Sequence, residues 1–149
     1  MSNSSSNDHP ATTQVARPPG LSAQLAAFCH AVSWEKLPPR VQERARLHAL
    51  DALGLALASH TQDYAAPALA GIAAAAGSGE CTVIGARLRL APRDAALANG
   101  LLMHGMDYDD THLASIVHPS VAALPAALAI GEQREATWTQ VLAAYAIGV

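Results

Sequence analysis

The chain has 149 residues, 51% of them apolar but only 4% aromatic, enough to bury the core of one ordinary domain without recourse to disulfides or metals. Its formal net charge of −3 at pH 7 comes from 9 basic and 12 acidic side chains with no basic run. That distribution argues against nucleic acid or an anionic membrane as a partner.

Alanine and leucine supply most of the bulk, which favours a mainly α fold, a helical bundle, over a sheet. Residues 1–19, MSNSSSNDHPATTQVARPP, lack the apolar core of a secretory signal and the repeated arginines of a transit peptide, and are predicted to be a disordered leader. After Pro18-Pro19-Gly20, the helical recurrence of Leu21, Leu25, Phe28 and Val32 defines a first amphipathic helix. Pro38-Pro39 restarts the chain, and VQERARLHALDALGLALASH then reads as one long helix. Its opening turns are charged and its second half is almost wholly apolar, so that half is expected to enter the core, with Asp51 as a buried acid.

A third helix over Tyr64 to Ala76 ends at Gly77-Ser78-Gly79, and CTVIGARLRL supplies two short β runs around Gly85-Ala86-Arg87, a small hairpin. Pro92 opens a helix carrying Leu97, Leu101 and His104 at i, i+4 and i+7; Pro119 to Ala129 and Thr137 to Val149 give two more. The last of these stops without a capping glycine, loop or polar tail, so residues 20–149 are expected to be the front part of a longer protein. Cys29 and Cys81 stand in no metal spacing and among apolar neighbours, which reads as buried thiols in a reducing compartment. No apolar run reaches the ~18 to 20 residues of a membrane span, and a cytoplasmic location is expected.

The chemistry concentrates in NGLLMHGMDYDDTHLASIVHPS, residues 99–120, where three carboxylates and three histidines share one stretch of a weakly charged chain. If the helix of Leu97 and Leu101 continues past His104, then His104, Asp107 and Thr111 fall on one face at i, i+3 and i+7, with Asp109 and Asp110 pointing elsewhere. An aspartate beside a histidine is the minimum for proton transfer at neutral pH, because the carboxylate fixes the imidazole tautomer and raises its basicity. Thr111 could donate to a substrate carboxylate, and the HPS turn adds Ser120 and a helix N-terminus that attracts anions. Competing readings stand beside this one: DYDD as a solvated helix end, His104 as a core histidine, or a metal bound by Asp107, Asp110, His112 and His118, for which no tight ligand motif is present.

LHALDALGLALASH, CTVIGARLRLAPRDAALANG and above all HGMDYDDTHLASIVHPSVAALPAALAIGE resemble the N-terminal helical domain of the MmgE/PrpD family. That family includes 2-methylcitrate dehydratase, cis-aconitate decarboxylase and iminodisuccinate epimerase. The resemblance, which runs from about Leu21 to Val149, implies a two-domain homodimeric lyase or isomerase: an all-α domain, and an α/β lid that lies beyond the segment matched. It also implies a small polycarboxylate substrate and no metal or organic cofactor. On the same basis Asp107, Thr111 and His118 match active-site positions of the decarboxylase branch, while a later histidine and a lysine of the family lie beyond Val149. His104 and Ser120 are taken as substrate-binding. The loop between Thr111 and His118 is one residue longer than the decarboxylase pattern, and the dehydratase branch tends to carry Asn where Asp109 stands. A 2-methylcitrate dehydratase-like hydro-lyase is the leading expectation; the alternatives are a non-catalytic helical module, or cis-aconitate decarboxylase-like or epimerase activity in a full-length parent.

Overall fold

A computed structural model describes residues 19–149, so all of the predicted leader except Pro19 lies outside the described residues. Six α-helices and one small hairpin follow in the predicted order: α1 Leu21–Ala31, α2 Pro39–Ser59, α3 Ala65–Ala75, β1 Cys81–Thr82, β2 Arg89–Leu90, α4 Pro92–His104, α5 Ser120–Gln133 and α6 Trp138–Gly148. A short 3-10 turn, Trp34–Lys36, joins α1 to α2. The mainly helical fold expected from composition is what forms.

Local chemistry accounts for the helix starts. Pro39 and Pro92 occupy first turns, where a missing N–H costs nothing. Thr137 caps α6 in a reciprocal box with Gln140, satisfying two backbone donors that the helix leaves free. The strands pair antiparallel, Cys81 with Leu90 and Thr82 with Arg89. The turn between them places Gly85 at a φ of 75°, where a side chain would also run into the His60 ring.

The core lies where α4 meets α2 and α5, with α6 closing over α5. Leu102, Met103, Leu124, Leu142 and Tyr145 are its largest buried side chains. The second half of α2 enters the core as expected, but Asp51 is not the buried acid expected there. The buried stripe of α2 is Ala45, Ala49, Ala52, Ala56 and Ser59, whereas Leu47, Leu50 and Leu57 are exposed and Asp51 lies on the surface. Small side chains let α2 approach its neighbours closely, Leu53 packs half-buried against the core, and Leu47, Leu50 and Leu57 take the opposite face. Helix α1 likewise buries none of its residues: Leu21, Leu25 and Phe28 are all exposed.

Cys81 is buried, and burial together with the nearby Glu132 pushes its thiol above the ordinary value, so it acts as a small apolar residue. Cys29 is only half-buried, against expectation. No helix among the described residues is long and apolar enough to cross a membrane.

The approach of α4 to α5 positions the site. Pro125 lies inside α5 and has no N–H, so the Val121 carbonyl loses its usual i+4 donor. Gly100 of α4 packs against that carbonyl, and a Cβ at position 100 would stand 2.9 Å from the Val121 oxygen. One turn beyond Gly100 is His104; just before Val121 is the His118-Pro119 turn.

Candidate active site

Helix α4 does not continue past His104, and this corrects the helical face expected for His104, Asp107 and Thr111. Gly105 begins a tight exit: Asp107 N–H donates to the His104 carbonyl at 2.7 Å, and Asp107 itself sits at a φ of 54°. Aspartate tolerates this left-handed conformation better than most residues. At Gly105 the Tyr64 ring fills the space of a side chain, so the exit is packed as well as turned.

The loop from 105 to 119 folds back so that its second half meets the end of α4. His112 N–H donates to the Val117 carbonyl at 2.8 Å, closing a turn that holds Ile116 at a φ of 52°. Asp110 accepts the Ser120 N–H at 3.2 Å and lies 3.6 Å from His48 Nδ1, which ties the loop to the start of α5 and to α2.

Four of the five predicted residues converge, by tertiary folding rather than on one helix. His118 Nε2 lies 3.7 Å from Asp107 Oδ1, Thr111 Oγ1 is 3.4 Å from His118 Nδ1, and the His104 and His118 rings stand 4.8 Å apart at 57°. Ser120 is not brought in. Its side chain is buried and bonds the Tyr145 hydroxyl at 2.5 Å. Burial raises the Tyr145 phenol above its ordinary value, and Asp110 and Asp51 add to that, so the hydroxyl stays protonated. Ser120→Ala is therefore expected to cost about 1–3 kcal/mol of stability by orphaning that hydroxyl. Denaturant unfolding checks this.

At the centre is a residue that the sequence reading sent elsewhere, Asp109. Its side chain is only 1% exposed, with Oδ2 3.1 Å from His104 Nδ1 and 3.2 Å from His118 Nδ1. A carboxylate only accepts, so both Nδ1 atoms carry protons and both Nε2 lone pairs are freed. Thr111 Oγ1 donates to the Asp109 carbonyl at 3.3 Å, bracing the same residue. Asp107, by contrast, is 81% exposed and faces solvent beside the His118 ring. One buried carboxylate thus orients two imidazoles, with one exposed carboxylate beside them. The metal set weighed from sequence is not the one assembled: Asp110 is engaged by Ser120 and His48, and His112 Nδ1 pairs with Ser115 at 2.6 Å. His104, Asp107, Asp109 and His118 are the grouped ligand types instead.

A cavity of about 440 Å³ lies beside this cluster and shares Thr111 with it; Arg44, His48, His112 and Tyr145 also line it. It brings a permanent cation to within one cavity of the imidazoles.

The sequence matches the family profile described as MmgE/PrpD N-terminal domain over residues 23–149. The chain belongs to the MmgE/PrpD family. Within it, the chain is similar to the cis-aconitate decarboxylase-like protein oryM of Aspergillus oryzae, 29% identical over 112 residues. The aligned part is 75% of this MmgE/PrpD chain but 23% of that relative, so the chain spans about a quarter of the relative's length.

Proposed function

We propose that this chain carries proton-transfer groups of a lyase acting on a small di- or tricarboxylic acid, with dehydration of a 2-methylcitrate-like hydroxy acid as the reaction. The observation that carries the reading is the shared, buried Asp109, which presents both imidazoles with free Nε2 atoms at an open surface. Dehydration removes a proton next to a carboxylate and protonates the departing hydroxyl, so it needs two proton carriers near one substrate. His118 Nε2 is the general acid/base, Asp107 the second carrier, and Thr111 holds a substrate carboxylate. His104 makes a further substrate contact. Both carriers are side chains, so this reading routes no step through a cofactor.

A second reading, decarboxylation of a cis-aconitate-like acid, is favoured by the similarity to the cis-aconitate decarboxylase-like oryM. Both readings place the chain at the front of a longer, homodimeric protein. The span of only 23% of oryM supports that placement, and the exposed Leu47, Leu50 and Leu57 offer an apolar face for further chain or a second subunit.

The 149 residues alone are expected to show little or no turnover, because the resemblance puts a later histidine and a lysine outside them, and groups that act as a unit fail together. The test is proton NMR of 2-methylcitrate and of cis-aconitate, each incubated with the isolated chain and with the full-length protein. Loss of water from the first by the full-length protein supports dehydration, and carbon dioxide release from the second selects decarboxylation. Robust turnover by the isolated chain overturns the placement, and turnover of neither acid by the full-length protein overturns the substrate class.

A further inference from the structure

We infer that the His104–Asp109–His118 cluster is a binding site for one first-row transition-metal ion of the zinc type, with Asp107 as the fourth ligand. Ligand atoms from all four residues lie within 4.8 Å of one another. Two of the spacings, which without an ion are the Nδ1–H···Oδ2 hydrogen bonds, also match what a bound ion needs. A tetrahedral ion with bonds of ~2.0–2.1 Å spaces its ligands about 3.3–3.4 Å apart, and Asp109 Oδ2 stands 3.1 Å from one imidazole Nδ1 and 3.2 Å from the other.

Three further features separate this cluster from an ordinary acidic surface. Asp109 is desolvated, with its side chain 1% exposed, so its charge is undiluted by water. The ligands are set by different elements, His104 by the last turn of α4, Asp109 by the braced loop and His118 by the turn before α5, so the donor set is held in place before any ion arrives. The fourth ligand is on the open side: Asp107 is 81% exposed and His104 49%, which leaves an entry path and lets Asp107 swing onto the ion. Two imidazoles and two carboxylates favour Zn²⁺, Co²⁺, Ni²⁺ or Cu²⁺ over Mg²⁺ and Ca²⁺, which prefer all-oxygen shells.

To bind, the ion displaces the two Nδ1 protons that Asp109 accepts; each ring shifts its proton from Nδ1 to Nε2, and the freed Nδ1 lone pairs ligate the ion. That removes the Nε2 base on which the proton-transfer reading depends, so the ion acts as an inhibitor and not as a cofactor. This last consequence rests on that reading; the binding itself does not.

The test is calorimetric titration of the 149-residue chain with Zn²⁺, together with Co²⁺ absorption and histidine-ring NMR. One ion per chain is expected, with visible Co²⁺ bands of a nitrogen-ligated, low-coordinate centre. Ring shifts should fall on His104 and His118 and spare His48, His60 and His112. The near-isosteric Asp109→Asn and the His118→Gln variants should weaken binding by more than the ~10- to 100-fold typical of an outer partner, whereas His112→Ala should not. Absence of a stoichiometric ion, ring shifts on other histidines, or equal loss in His112→Ala overturns the site. The ring shifts keep the test decisive if a variant fails to fold. Zn²⁺ inhibition of the full-length protein is read separately: binding without inhibition leaves the site standing and counts against the catalytic role of His118.

Discussion

If His118 is the general acid or base proposed, His118→Ala in the full-length protein is expected to lower kcat/KM by ~10²- to 10⁴-fold, while His112→Ala loses far less. The contrast tests geometry, because the two histidines lie six residues apart on one loop. His118 is held on the buried Asp109 and faces Asp107 across 3.7 Å, whereas His112 spends its Nδ1 on Ser115 and its backbone on the turn with Val117. Neither ring belongs to the apolar core, so both variants should keep the native circular dichroism. A folded His112→Ala that proves the more damaging of the two would show that the roles are misassigned.

The periodic signals made the fold legible and misled about the loop. Proline at helix starts, glycine at the end of α3, and the two β runs around Gly85 each placed an element close to where it lies. What failed was extrapolation of α4 through Gly105. The residue after His104 was itself a stop signal, and carrying the 3.6-residue period past it set Asp107 and Thr111 on a helix that does not exist and turned Asp109 away from the site. The residues named do come together, but through another geometry: Asp107, Thr111 and His118 meet because the chain reverses. No local pattern marks Asp109 as the centre, since its partners stand five residues before it and nine after. The fate of α2 was hidden for a related reason. Periodicity shows that a stripe is apolar, but not whether its alanines or its leucines face the neighbours, and here close packing selected the alanines.

Gly100→Ala is expected to act on the site from a distance, and its effect should be larger on rate than on stability. Replacing glycine inside a helix ordinarily gains about 1 kcal/mol from propensity. Here the added methyl group would sit 2.9 Å from the Val121 carbonyl oxygen, which is backbone and cannot rotate aside. Overpacking of this kind costs about 1–3 kcal/mol, so the net change should be modestly destabilising, and the strain is relieved by moving α5 away from α4. That motion separates the turn carrying His118 from the helix end carrying His104, and Asp109 can no longer reach both rings at 3.1 and 3.2 Å. A displacement of the order of 1 Å at reacting groups costs ~10²-fold in rate. The full-length variant should therefore unfold at slightly lower denaturant concentration, keep its helical circular dichroism, and lose ~10²-fold in kcat with KM less affected. Gly54→Ala is the control: it also places a methyl group on a helix, but nothing lies within 4 Å of it, so stability should rise slightly and kcat stay as it was. If Gly100→Ala keeps full kcat, close contact between α4 and α5 is not what aligns the two histidines.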